Sequence, residues 1–138
     1  MTVDTADTAD ADAIVALWRS CDLLRPWNDP LHDFALAFGK DSSTVLVIRD
    51  GGAIVASVMV GFDGHRGWVY YLGVVPERRG RGLARRMMAA AEDWLKARGA
   101  PKIQLMVRED NEGAIGFYRA LGFEPQKVVT LGRFLETP

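Results

Sequence analysis

The stretch WVYYLGVVPERRGRGLARRMMAAAEDWLKAR, residues 68–98, decides the fold of this chain. Its first eight residues are apolar and rich in β-branched and aromatic side chains, which predicts a buried strand that Pro76 ends. Beyond the following turn, an apolar residue recurs every four positions, as on one face of a helix: Leu83, Met87, Ala91 and Leu95. The sequence therefore predicts a strand, a tight turn and a long helix.

The turn carries an anion-binding pattern. Gly80 and Gly82 let backbone amides approach a ligand closely, and the first amides of a helix have no internal partners. The helix dipole adds partial positive charge at this end. Five arginines surround the turn: Arg78, Arg79, Arg81, Arg85 and Arg86. Together these features predict a site for a phosphate or pyrophosphate.

Two sequence blocks resemble one known family. RGRGLA at 79–84 fits the pattern R-x-x-G-x-A and follows an apolar strand. NEGAIGFYRALGF at 111–123 fits N-x-x-A-x-x-F-Y-x-x-x-G-F. In both blocks, and over nearly its whole length, the chain resembles the GCN5-related N-acetyltransferase (GNAT) superfamily, in particular the small bacterial subgroup typified by YpeA.

The resemblance implies that acetyl-CoA is the co-substrate. The pyrophosphate would lie at the turn, and the edge amides of the preceding strand would hydrogen-bond the pantetheine arm. Amides near Val74 would also stabilise the developing oxyanion. The cofactor contacts implied in this way are Gly73, Val74, Val75, Arg79, Gly80, Arg81, Gly82, Leu83, Ala84 and Asn111.

Tyr118 is the catalytic residue that the second block implies. A tyrosine, with an ordinary pKa near 10, can donate a proton to the departing sulfur. Many relatives carry a glutamate as general base where Tyr70 and Tyr71 stand here. The identity of the general base therefore stays open, and the candidates are Glu109, Asp110, His65 and a water molecule. Water is included because the amine needs to lose only one proton before it attacks.

The acceptor is expected to bind the irregular loop that follows the first helix. Arg25, Trp27 and Asn28 are the predicted substrate-binding residues, with packing as the alternative role for Trp27. Arg25 and Asn28 suit an acceptor that carries a carboxylate or carbonyl group, while Asp29 and Asp63 leave a cationic acceptor open. The sequence does not distinguish a small-molecule amine from a peptide amine.

The order of predicted elements is β-α-α-β-β-β-α-β-α-β. This order indicates an α/β (α+β) protein with a mixed sheet, and the resemblance implies that the two central strands splay apart. Residues 1–138 are expected to form a single GNAT domain. Asp50-Gly51-Gly52 predicts a hairpin turn, residues 102–107 a strand, and Lys127–Leu135 the last strand.

The composition of the chain limits the kinds of partner and cross-link that it can have. The formal net charge of −1 argues against general binding to nucleic acid or to a membrane surface. Cys21 is the single cysteine, so an internal disulfide is excluded. We expect a cytoplasmic protein without a metal ion, and the family resemblance leaves a homodimer open.

Two other functions compete with acetyl transfer. A dinucleotide-binding half-domain would also place a glycine-rich turn between a strand and a helix, but its third glycine position holds Arg85 here. A GNAT fold could also bind acetyl-CoA as a sensor or interaction module without transferring the acetyl group. The intact block around Tyr118 argues against that second alternative.

Overall fold

The computed structural model describes residues 1–136 of the chain. It consists of two compact units, Met1–Leu105 and the segment from Met106 onward. Within the described residues, the first unit contains five strands and three α-helices, and the second contains one further α-helix. No helix within the described residues is long and apolar enough to cross a membrane.

The first unit is built on one five-stranded sheet in which neighbours in sequence are neighbours in space. The first four strands pair antiparallel, each with the next along the chain, and the last strand is parallel to the fourth. The strands are β1 (Thr2–Thr5), β2 (Ser43–Asp50), β3 (Ala53–Phe62), β4 (Gly67–Val74) and β5 (Ile103–Leu105). The predicted hairpin between β2 and β3 and the mixed sheet are confirmed.

Four α-helices accompany the strands in residues 1–136. Asp29 accepts a hydrogen bond from the His32 amide and caps the second helix, and the Asn111 side chain caps the fourth by accepting from the Ala114 amide. The helices are α1 (Ala11–Ser20), α2 (Pro30–Ala37), α3 (Leu83–Ala97) and α4 (Glu112–Ala120). The apolar face predicted for α3 is confirmed, because its members are all buried.

The core lies on both faces of the sheet. Val45 and Val47 of β2 pack with the buried residues of α1 and α2. Side chains alternate along a strand, so Leu46 and Ile48 point to the opposite face, where they are also buried. Helix α3 packs against β2, β3 and β4. We infer that α3 covers that second face, which gives a three-layer unit.

Of the strands predicted from the sequence, the last one is wrong and the one at 102–107 is too long. Residues 127–135 form no strand, and their apolar side chains are exposed, Leu131 at 90% and Leu135 at 92%. Alternation supplies a strand pattern but no hydrogen-bonding partner, and no strand among residues 1–136 pairs with this segment. The strand expected at 102–107 is shortened to β5.

Candidate acyl-transfer site

The turn before α3 leaves the first amides of the helix without a capping side chain within the described residues. Gly80 and Gly82 both have φ of +78°, a left-handed conformation that favours glycine. Gly82 is the N-cap residue, and no side chain caps the helix. The first intrahelical bond runs from the Arg86 amide to the Gly82 carbonyl. A Cβ on either glycine would meet no atom within 4 Å, so an anion can approach these amides.

The five arginines near this turn divide into two groups. Arg78 pairs with Asp50, which holds the pKa of that carboxyl below its usual value, and Arg79 Nε donates to the Val74 carbonyl at 3.2 Å. Arg86 donates to the Met1 carbonyl. Arg81 and Arg85 have no ion pair or side-chain hydrogen bond within residues 1–136. These two side chains remain available to a phosphate.

Within residues 1–136, β5 pairs with only the first three residues of β4. The parallel ladder with β5 ends at Val69, opposite Leu105, whereas β4 continues to Val74. On the other side, the Val75 amide donates to the Val55 carbonyl of β3 at 2.9 Å. Because hydrogen-bonding direction alternates along an antiparallel strand, the Val74 amide points away from β3. Val74 therefore offers a free edge amide, and the Val75 amide does not.

Gly73 has a packing reason to be glycine. A Cβ there would lie 3.0 Å from Cys21 Sγ, 3.1 Å from Leu17 Cδ2 and 3.2 Å from Leu23 Cδ1. The Cys21 thiol itself donates to the Val74 carbonyl at 3.2 Å. The absence of a side chain lets α1 and the loop after it press against the end of β4. This part-buried thiol has a structural role at the end of β4.

Tyr71 lies at a bulge in the middle of β4. Tyr71 and Leu72 stand opposite the single residue Val58 of β3, and Tyr71 has φ of +54°, which is uncommon for a side-chain-bearing residue. Its ring stacks on buried Trp18, with centroids 4.0 Å apart and planes 9° from parallel. Trp18 is fixed in turn because its indole Nε1 donates to Ser57 Oγ at 3.1 Å. The bulge thus directs Tyr71 away from the regular pleat.

Tyr71 and Asp33 meet in an open cleft of about 520 Å³. The Tyr71 hydroxyl donates to Asp33 Oδ2 at 2.6 Å. Burial, reinforced by the neighbouring carboxylate, raises the pKa of Tyr71, and an Asn28 hydrogen bond offsets part of that rise. The hydroxyl therefore stays protonated at neutral pH. The cleft is lined by Leu23, Asn28, Asp33, Leu36, Ala37, Ser43, Met59, Tyr70 and Tyr71.

Of the three residues predicted to bind substrate, one lines this cleft. Asn28 does so, although Arg25 and Trp27 do not. Arg25 Nη1 donates to the carbonyls of Asp22 and Leu24, so its guanidinium holds its own loop together. Trp27 is 55% exposed. The structure brings Asn28 together with Tyr71 and leaves the other two outside.

The second unit places Tyr118 among aromatic rings. Phe117 and Phe123 contact it edge-to-face, with centroids 5.1 and 5.7 Å away. Burial raises the pKa of Tyr118 to about 12, so its hydroxyl is a proton donor at neutral pH. Asn111, at the start of the same helix, uses its side-chain oxygen to accept from the Ala114 amide. Its amide nitrogen is left for other contacts.

The candidate bases named from sequence occupy exposed positions. His65 lies in the turn before β4, where Asp63 accepts from two backbone amides and from the Trp68 indole. Asp110 is 3.6 Å from Arg108 in an exposed pair. Residues 1–136 contain no cluster of three or more His, Cys, Asp or Glu side chains that could hold a metal ion.

Sequence reasoning missed Asp33. It lies in the first turn of α2, where an acidic residue is explained by the helix dipole. Its partner Tyr71 is 38 residues away, so no local spacing signals the pair. The doublet Tyr70–Tyr71, in place of the glutamate that many relatives carry, was the one usable signal.

A mixed sheet with a short parallel pair, beside a helix entered through two glycines, is the framework of this site. The model of the acetyltransferase (GNAT) family matches residues 12–123. The chain belongs to the GNAT family and is an acyltransferase, which removes the dinucleotide-binding alternative.

Named relatives agree with this assignment. The chain is 52% identical over 126 residues to an acetyltransferase of Pectobacterium atrosepticum, covering 91% of this chain and 89% of the relative. It is 47% identical over 135 residues to one of Yersinia enterocolitica, covering 98% and 96%. The fold matches the structure of AAC(6')-Iy in complex with the bisubstrate analogue CoA-S-monomethyl-acetylneamine, with a TM-score of 0.81, 17% identity and coverage of 96% and 97%.

Proposed function

We propose that the protein transfers the acetyl group of acetyl-CoA to a primary amine by direct attack in a ternary complex. The observation that carries this proposal is the uncapped start of α3, whose glycine turn faces open space. A protein of the same fold, AAC(6')-Iy, is described with a CoA conjugate bound. An acetyl-CoA co-substrate accounts for the amides, the positive charge and the strand edge together.

The residues present fit two parts of such a co-substrate, the anionic pyrophosphate and the amide groups of the pantetheine arm. Amides of Leu83 and Ala84 would donate to the pyrophosphate, with Arg81 and Arg85 as the neighbouring unpaired cations of the described chain. The Val74 amide would hydrogen-bond the pantetheine arm as the next strand would. Arg79 contributes indirectly, because its bond to the Val74 carbonyl holds the end of β4.

Bound acetyl-CoA supplies an activated thioester carbonyl. The neutral amine nitrogen forms a bond to that carbon, the carbon–sulfur bond breaks, and the amine loses one proton. A backbone donor at Val74 would stabilise the negative charge that develops on the carbonyl oxygen. Tyr118 would donate its proton to the departing sulfur, a role that suits a hydroxyl protonated at neutral pH.

We assign water as the base that takes the proton from the amine. Tyr71 is unsuitable as a base because its raised pKa keeps the hydroxyl protonated. His65 and Asp110 lie in exposed turns, where polar residues are expected without any catalytic role. In an open cleft, water can take one proton from the ammonium form of the amine before attack and a second from the nitrogen after the carbon–nitrogen bond has formed.

An acceptor screen tests this function. Purified protein is incubated with acetyl-CoA and a panel of amines that includes amino acids, polyamines, lysine peptides and aminoglycosides. Free thiol is followed over time, and the acetylated amine is identified by mass spectrometry. We expect amine-dependent thiol release. Release that never exceeds the amine-free control, with acetyl-CoA bound, would instead favour the sensor module.

A further inference from the structure

The cleft between α2 and β4 contains one charged side chain among the described residues that line it, that of Asp33. Resting on the proposed acetyl transfer, we propose that Asp33 binds a second cationic group of the acceptor, which makes the acceptor class a diamine with an aliphatic chain between its two amines. The acceptor's reacting amine would lie nearer to Val74, and its distal ammonium would lie at Asp33.

Asp33 is positioned to bind a cation. Its Oδ2 accepts from the Tyr71 hydroxyl at 2.6 Å, which fixes the carboxylate, and its Oδ1 has no hydrogen-bond partner within residues 1–136. The side chain is half-buried, so an ion pair there is less screened by solvent than a pair on the open surface. Tyr71, which stacks on Trp18, is thereby a positioning residue for the carboxylate.

The other charged side chains near the cleft already form hydrogen bonds within their own segments. Asp29 caps α2, and Asp63 accepts bonds within its own turn. Arg25 is bound to backbone carbonyls of its loop. No lysine or arginine of the described chain lines the cleft. A distal carboxylate would therefore meet Asp33 unopposed, which disfavours the acidic acceptor that Arg25 and Asn28 suggested from sequence.

The remaining walls suit a hydrocarbon chain. Leu36, 55% exposed, and Met59 are apolar, and both line the cleft with Tyr70 and Tyr71. Tyrosine rings also attract a cation over their faces. Tyr71 and Val74 are separated along β4 by roughly 10 Å at the rise of a strand. A short diamine can bridge a gap of this order, because its distal ammonium reaches Asp33 through a hydrogen bond and its reacting amine approaches the thioester carbon beside the Val74 amide.

The test compares three acceptors of similar length: putrescine, butylamine and γ-aminobutyrate. Binding is measured by calorimetry in the presence of CoA, and turnover by thiol release from acetyl-CoA. The variants are Asp33→Asn, which can still accept from Tyr71, and Asp22→Asn as a control. Asp22 is fully exposed, and its carboxylate lies 3.9 Å from Arg25, outside the cleft. It has φ of +56°, which asparagine tolerates, so the control removes the same charge at a position that does not line the cleft.

We expect wild-type protein to prefer putrescine over butylamine by about tenfold in Kd and in kcat/KM, the scale of one hydrogen bond to a charged group. This exceeds the statistical advantage of two equivalent amines. Asp33→Asn should lose the preference mainly through a raised KM for putrescine, with acetyl-CoA affinity unchanged, whereas Asp22→Asn should behave as wild type.

The outcomes separate the two proposals. Equal binding of putrescine and butylamine, or a putrescine preference that survives in Asp33→Asn, overturns the diamine site whether or not thiol is released. Tighter binding of γ-aminobutyrate overturns it as well. Asp33-dependent binding of putrescine without thiol release from any amine supports the cation site and refutes acetyl transfer.

Discussion

Replacing Gly82 with alanine is expected to impair acetyl-CoA binding much more than it impairs folding. At φ of +78° a side chain costs about 1–2 kcal/mol in backbone strain. A Cβ there meets no protein atom within 4 Å, so we expect no further steric cost. For a domain of this size the strain corresponds to a fall in Tm of a few degrees.

Binding should fall further because relief of that strain moves the amides at the start of α3, and because the Cβ occupies the space next to them. Losing one hydrogen bond from an amide to a charged oxygen costs about 1.5–3 kcal/mol. That loss corresponds to roughly a 10–100-fold rise in Kd for acetyl-CoA. We therefore expect the variant to be folded but weak in binding.

Gly99→Ala is the matched control. Gly99 follows the opposite end of α3 and has φ of +80°, and a Cβ added there would likewise meet no atom within 4 Å. The two variants should lose similar stability in thermal unfolding followed by circular dichroism. Calorimetry with acetyl-CoA should separate them, with wild-type affinity in Gly99→Ala. Equal affinity in both variants would refute the assignment of the pyrophosphate to this turn.

Three further predictions concern other parts of the chain. Tyr118→Phe should lower kcat by about a hundredfold with acetyl-CoA affinity unchanged, and wild-type turnover would return the residue to a packing role. The folded pKa of Tyr118, about 12, exceeds its unfolded value near 10, so wild-type protein should also lose stability as pH rises from 10 to 12, and the variant should lose less. Asn28→Ala should raise the acceptor KM more than Trp27→Ala does, since only Asn28 lines the cleft; the opposite ranking in steady-state kinetics would place the acceptor on the outer loop. Asp10 is paired with Arg49 through two hydrogen bonds of 3.0 and 2.7 Å that lower its pKa, so Asp10→Asn should cost about 1 kcal/mol in urea unfolding at neutral pH, and the difference should vanish as pH falls below the lowered pKa; a pH-independent difference would exclude the ion pair as its cause.

The local elements of this protein could be predicted from the sequence. The strand–turn–helix at 68–98 is specified by apolar spacing, by Pro76 and by two glycines, all of which act over a few residues. The hairpin at Gly51 has the same origin, since its φ of +63° favours glycine. Family membership also follows from the sequence, because the two motif blocks lie within 79–123, inside the matched residues.

Pairing between strands decided the direction in which the backbone amides at 73–75 point. All three amides at 73–75 have the same sequence signal, yet the register with β3 turns the Val75 amide inward and leaves the Val74 amide at the free edge. The same dependence explains the wrong strand at 127–135. Alternating side chains there are compatible with a strand, but the hydrogen bonds that define one come from a partner.

The acceptor cleft required the tertiary structure for a similar reason. Asp33 and Tyr71 are 38 residues apart, and they meet only because a bulge in β4 gives Tyr71 a positive φ and stacks it on Trp18. Each residue has an ordinary local explanation, a first-turn carboxylate and a strand aromatic. Sequence by itself determined the helix start that suits a phosphate, because that site is built from consecutive residues. The cleft is built from α2, β3 and β4, so its chemistry was decided by how the chain packs.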